Sequence, residues 1–195
     1  MTSAVSICSN ALLMNGAQTI SSFTDNTDRA RQCANLYPTV RDYVLSTHPW
    51  NCCLKRVQLN PDTDTPPFDF NYQFTLPDDY LRMCAVGVAG SEDDYRIESG
   101  KILMDNAVLN LRYVWKNYNE ASYSGLLVMA LTLAMRAVLA YPLTQNTSLE
   151  QLITQSIQPI LKQARAIDST EQPPETLGDF RLQTSRFTTR SGGSQ

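Results

Sequence analysis

The sequence predicts an α+β protein: a four-helix bundle, a small antiparallel β-sheet inserted between helices two and three, and an extended C-terminal tail. Three observations support this fold class. Apolar residues recur with helical spacing on both sides of the middle of the 195-residue chain. Short runs rich in branched and aromatic residues, separated by turn sequences, occupy that middle. Residues 169–195 contain too few apolar side chains to form a core.

The first helical half is predicted within residues 1–50. Helix one covers Ser3 to Asn15, where apolar positions follow the helical period. Helix two runs from Asp28 to Thr47 with a kink at Pro38, which lacks a backbone donor. It ends before Pro49, because proline disfavours the helical conformation of the residue that precedes it.

A β insert is predicted for residues 51–118. Its runs are short and joined by turns with no helix between them, which favours a small antiparallel sheet of about three to five strands. The runs that we interpret as strands are Leu54 to Leu59, Tyr72 to Thr75, Leu81 to Val88 and Val108 to Tyr113.

The second helical half is predicted within residues 119–168 and closes into one bundle with residues 1–50. Helix three, about Ser122 to Tyr141, is apolar nearly all round, so we expect it to be buried on most sides. It carries Arg136, which favours a core helix over a membrane span. Helix four begins near Thr147 and is amphipathic.

The C-terminal tail, residues 169–195, has acidic residues first and then arginines alternating with apolar residues. Such a segment is typical of an arm that becomes ordered on a partner. The residues predicted to dock are Phe180, Arg181, Arg186, Phe187 and Arg190.

Charge and cysteine content exclude several classes of protein. Sixteen basic and nineteen acidic residues give a net charge of about −3, whereas a protein that wraps nucleic acid shows a basic patch. The N-terminus lacks the basic and apolar regions of a secretory signal, so we expect the chain to stay in the cytoplasm where it is made. The five cysteines have no framework spacing, and we expect all of them to be reduced.

No pattern of catalytic or metal-binding residues is present, so the sequence predicts no catalytic residue, no cofactor and no metal site. His48 is the single histidine, and Cys52-Cys53 has no second cluster to complete a tetrahedral site. We expect one of these cysteines in the core and the other at a contact. Acidic residues cluster in turn-like sequence, where aspartate is common for backbone reasons; the clusters are Asp62, Asp64 and Asp69, then Asp78 and Asp79, then Glu92, Asp93 and Asp94.

Two stretches of sequence carry a specific resemblance to a known family. One contains His-Pro-Trp-Asn at positions 48–51, and the other is Leu-Pro-Asp-Asp-Tyr-Leu-Arg at positions 76–82. With looser matches between residues 4 and 168, they resemble the tail tubular protein A family, the head-to-tail adaptors of short-tailed bacteriophages of the T7 type. The residues of these motifs that the resemblance marks as structural are His48, Pro49, Trp50, Pro77, Asp79 and Tyr80.

The resemblance implies a structural subunit of the virion neck, assembled in the host cytoplasm. It implies a closed ring of twelve copies that binds the portal protein on one side and the next tail component, a nozzle or a tail tube or terminator, on the other. DNA would pass through the central channel without specific binding. The tail of residues 169–195 would then dock on the portal or on a neighbouring subunit, although it has no counterpart in the family pattern.

Two physical features agree with a ring. An apolar helix three would gain burial between neighbouring copies, since a head-to-tail interface that closes by rotation forms a ring. A mildly acidic channel wall would repel DNA. Two alternatives remain open: a tail-associated hydrolase of polysaccharide or cell wall that uses a carboxylate pair, and a small cytoplasmic interaction module unrelated to phage.

Overall fold

A computed structural model describes residues 2–87 and 94–170. The described chain is α+β, with four α-helices and six short strands. The helices are α1 (Ala4–Met14), α2 (Asp28–Thr47), α3 (Gly125–Thr144) and α4 (Thr147–Thr170). The strands are β1 (Leu54–Leu59), β2 (Tyr72–Thr75), β3 (Tyr80–Val86), β4 (Tyr95–Glu98), β5 (Lys101–Met104) and β6 (Leu109–Trp115).

Side chains at the helix starts explain where three helices begin. The Ser3 side chain accepts a hydrogen bond from the backbone amide of Ser6, and Thr27 does the same for Ala30 at the start of α2. Ser124 caps α3 in the same way, which satisfies an amide that has no partner within the helix. Helix α2 then continues through Pro38.

The expectation of a single sheet inserted between helices two and three is wrong. The strands are spread over residues 54–115 and form two three-stranded antiparallel sheets, ordered β1-β6-β3 and β2-β5-β4. The reason lies in burial: Leu54, Leu81 and Val114 pack into the helical core, so their strands are not separate from it. The local pattern of a strand does not encode which partner it pairs with.

The described residues fold as two compact units. The helical unit comprises residues 2–56, 77–84 and 112–170, and the strand unit comprises residues 57–76, 85–87 and 94–111. Each strand of the β1-β6-β3 sheet contributes residues to both units.

The core of the helical unit surrounds α3, which packs against α1, α2 and α4. Fully buried side chains include Leu12, Leu45, Trp50, Leu127 and Leu131. By length and composition alone α3 could cross a membrane, but 44% of its most apolar stretch is buried, and a core helix passes the same test.

In the strand unit Phe74, Ile102 and Met104 are buried, and a tight hairpin joins β4 to β5. Phe74 and Ile97 both lie opposite Ile102 across the antiparallel ladders. Ser99 and Gly100 have φ of 50° and 76°, as a type I′ turn requires of its two central residues.

The predicted tail begins at Ser169, but α4 continues to Thr170. The rest of that tail, including all five predicted docking residues, lies outside the described residues.

Candidate functional site

The His-Pro-Trp-Asn motif forms a buried joint between the end of α2 and the last turn of α4. His48 ends α2 with extended backbone, and the half-buried Pro49 follows it. The Nε2 atom of His48 lies 3.0 Å from Oδ2 of Asp168, and both side chains are buried. Asn51 bonds to the same residue twice, through its backbone amide to Oδ2 (3.3 Å) and through Nδ2 to the backbone carbonyl (3.1 Å).

Trp50 completes this joint. Its side chain is fully buried, and its indole Nε1 donates to the backbone carbonyl of Val44 at 3.1 Å. Its ring meets the His48 ring edge to face, with centroids 4.8 Å apart. Burial lowers the pKa of His48 below its ordinary value, and this effect outweighs the opposite effect of Asp168. A neutral imidazole that donates from Nε2 to the Asp168 carboxylate therefore fits the geometry.

The second motif forms a turn held by Asp79. The backbone amide of Tyr80 donates to the Pro77 carbonyl at 2.9 Å, which closes the turn before β3. Oδ1 of Asp79 accepts from the Tyr113 hydroxyl at 2.8 Å, and Oδ2 accepts from Lys55 Nζ at 2.7 Å. The rings of Tyr80 and Tyr113 stack with centroids 5.9 Å apart. The motif therefore ties β1, β3 and β6 within the helical unit.

Two carboxyls of the acidic turns have structural partners. Burial raises the pKa of Asp79, but the hydrogen bonds from Lys55 and Tyr113 outweigh it and hold the pKa below its usual range. Asp62 in the strand unit accepts from Lys101 and Thr75, and the Lys101 bond lowers the pKa of this carboxyl too. A glycosidase general acid needs the opposite, a raised pKa.

The other candidates for chemistry also have structural positions. Cys52 and Cys53 lie on a short 3-10 turn (Asn51–Cys53) and not on a strand, with Cys53 buried and Cys52 half-buried. All five cysteines are free. Within residues 2–87 and 94–170 no cluster of three or more His, Cys, Asp or Glu residues could hold a metal ion. Glu92 and Asp93 lie outside the described residues.

A groove of about 480 Å³ with mostly apolar walls opens between α2, α3 and α4, and we call it the apolar groove. Its lining includes Val40, Val44, Trp50, Ala134, Ile157 and Leu161, with the exposed Tyr43 and Val138 also facing it. The charged residue in the lining is Arg165, whose Nε is buried without a hydrogen-bond partner among the described residues. A groove of this size and composition falls in the range that binds ligands or partner side chains.

A second apolar surface lies across α1, α3 and α4, and we call it the outer apolar patch. Two depressions of about 400 and 170 Å³ share Met129, whose side chain is 50% exposed. The large apolar residues of this patch are Leu13, Met14, Met129, Ile160 and Ile167, all of them exposed. Exposed apolar patches of this kind mark interaction surfaces.

Sequence reasoning found the motif residues but missed three parts of the site: Asp168, the apolar groove and the outer apolar patch. A signal for Asp168 was present, because it follows Ile153, Ile157 and Ala164 on the buried face of α4. A carboxylate on an apolar stripe requires a buried partner. The groove and patch depend on how helices pack and have no local signal.

No protein-family model matches this chain, and no curated protein sequence matches it significantly.

Proposed function

We propose that the protein is a structural head-to-tail adaptor of a tailed bacteriophage, similar to tail tubular protein A. It forms a ring between the portal protein and the next tail component, and DNA passes through the channel. The two sequence motifs support this role because their residues join separate elements of the helical unit, one through the buried contact of His48 with Asp168 and the other through the half-buried Asp79.

The observation that carries the proposal is the pair of separate apolar surfaces on the helical unit. The apolar groove lies between α2, α3 and α4, and the outer apolar patch lies across α1, α3 and α4. A ring needs a head-to-tail interface, in which two different surfaces of each subunit meet. A two-fold dimer would need one self-complementary surface instead.

Assembly is the direct test of this proposal. The purified full-length chain is examined by native mass spectrometry and negative-stain electron microscopy, alone and with portal protein. We expect closed rings, either spontaneously or on the portal. A chain that stays monomeric and fails to bind portal under every condition rules out the proposal.

A substitution in the outer apolar patch separates assembly from folding. Met129→Glu places a charge at a half-exposed position, so we expect rings to be lost while the circular dichroism spectrum is unchanged. Phe68→Glu is the matched control, since Phe68 is 73% exposed and lies in the strand unit. Rings that survive Met129→Glu exclude the patch as a subunit contact.

A further inference from the structure

The apolar groove needs an apolar occupant in the assembled protein. Its lining includes the fully buried Trp50 and the exposed Tyr43 and Val138, so an inserted side chain would meet apolar atoms on several sides. One aromatic side chain buries about 150–250 Å² and is the usual anchor in such a site.

The charged residue in the lining of the groove specifies the occupant further. Arg165 lines it, is half-buried, and makes no ion pair within residues 2–87 and 94–170. A partly desolvated guanidinium is stabilised by an acceptor, and a carboxylate is the strongest one. The occupant should therefore present an aromatic residue close to an acidic one.

The C-terminal segment of the chain has this composition. Residues 171–195 follow α4 directly, carry three carboxylates at Glu171, Glu175 and Asp179, and place Phe180 immediately after the last of them. The nine residues that precede Phe180 reach about 30 Å when extended. This is about the length of a 20-residue helix, so Phe180 can reach a groove on an adjacent molecule.

We propose that residues 171–195 of one subunit bind the apolar groove of the neighbouring subunit, with Phe180 in the groove and Asp179 at Arg165. This inference rests on the proposed ring, and it names the partner of the C-terminal segment. The segment then acts as a strap between copies. The arm of one copy in the groove of the next is a head-to-tail contact, and such contacts close into a ring when the rotation between copies allows it.

Photo-crosslinking in the full-length chain tests this contact. Phe180→p-benzoylphenylalanine chains are prepared in light and ¹⁵N-labelled forms, mixed before assembly with portal protein, and irradiated. We expect cross-links to groove peptides within residues 36–50, 134–138 and 154–165. Because the contact lies between copies, cross-links between a light and a heavy chain should be as frequent as random mixing of the two forms predicts.

Two groove variants and one second position serve as controls. Ala137→Trp fills the groove, and we expect it to lower the yield of cross-links from position 180 at least about tenfold, as the loss of an anchor site does. Arg165→Gln should lower it about fivefold through loss of the charge-assisted bond. The photoreactive residue at position 187 in place of Phe187 should give a different set of peptides.

The outcomes distinguish this inference from the ring proposal. Rings that form but give cross-links from position 180 only outside the groove, or only between identically labelled chains, overturn the docking inference and leave the ring intact. Equal yields with and without Ala137→Trp also overturn it. A chain that never assembles overturns both proposals.

Discussion

The imidazole of His48 and the carboxylate of Asp168 meet at 3.0 Å, although 120 positions separate them in the chain. Asp168 is 3% exposed and His48 is 9% exposed, so water does not replace this contact. The same carboxylate oxygen accepts a hydrogen bond from the backbone amide of Asn51. One acidic residue on α4 therefore accepts from a buried donor at the end of α2 and from a half-buried donor in the turn that follows.

Asp168→Ala should destabilise the helical unit. The substitution removes the carboxylate that accepts from the buried His48 Nε2, and an unsatisfied buried donor costs about 2 kcal/mol of unfolding free energy. Asp168→Asn keeps one acceptor oxygen in nearly the same shape and should cost less. Urea denaturation measures both; a loss below about 0.5 kcal/mol for the alanine variant, the range of ordinary surface changes, would contradict the role given to this joint.

The stability of the protein should fall as the pH drops below about 6.5, the ordinary value for histidine. Burial lowers the pKa of His48 in the folded state, so the unfolded chain binds this proton at a higher pH. Stability rises with pH wherever the unfolded state binds more protons. The stability that neutral His48 contributes is therefore fully present above about pH 6.5. It is lost as the pH falls towards the pKa of His48 in the folded state, by at most about 1.4 kcal/mol per pH unit.

The control for this pH dependence is His48→Gln, because the chain has one histidine. Glutamine can donate to Asp168 and does not titrate. Denaturation between pH 7.5 and 5.5 should give a steeper loss for the natural chain than for the variant. Parallel curves would mean that His48 does not titrate differently in the two states.

The helices and the site show how far the sequence alone can be interpreted. The predicted helix two has the same bounds as α2, Asp28–Thr47. A strong apolar period marks its length, and Pro49 marks where it ends. The hairpin of β4 and β5 is not among the predicted strands, although Tyr95 and Ile97 alternate with Arg96 and Glu98, because each strand has only four residues. The Ser99-Gly100 dipeptide is a turn signal in the sequence, but it does not identify the strands on either side.

The pairing of strands and of distant side chains could not be predicted. Two separate sheets result from long-range packing, such as that of Val114 into the helical core, and no local pattern specifies this. Asp79 was identified as a structural residue by resemblance, but its partners Lys55 and Tyr113 lie 24 and 34 positions away. Only the fold brings these three residues together.

The three residues that meet at this turn, Lys55, Asp79 and Tyr113, should differ in their contribution to stability. Tyr113 is 1% exposed, so Asp79→Ala leaves a buried hydroxyl without its acceptor and should cost about 1–3 kcal/mol. The Lys55 side chain is 49% exposed, so solvent screens its ion pair and Lys55→Ala should cost less than about 1 kcal/mol. Tyr113→Phe removes the donor together with its need for an acceptor, so its loss of stability should lie between those of Lys55→Ala and Asp79→Ala. Thermal and urea unfolding give the order, and equal losses for Lys55→Ala and Asp79→Ala would contradict it.

Cys52 should be the fastest of the five cysteines to react with iodoacetamide in the native protein. Its Sγ lies 3.7 Å from that of Cys53, and the hydrogen bond from the Cys53 thiol lowers the pKa of Cys52 to about 7, despite burial. The backbone amide of Ser124, at the start of α3, adds to this effect. Because the thiolate is the nucleophile, the alkylation rate should rise with pH and reach half of its maximum near pH 7.

Cys53→Ala tests the cause of this reactivity. The variant removes the donor, so the pH at half-maximal rate should move upward towards the ordinary value for cysteine, about 8.5. Cys84→Ala is the control and should leave the Cys52 profile unchanged, since Cys84 does not contribute to the lowered pKa of Cys52. Peptide mass spectrometry after timed alkylation identifies the modified residue. A Cys52 profile that is the same with and without Cys53 would mean that the helix start and the Ser124 amide account for the reactivity without the neighbouring thiol.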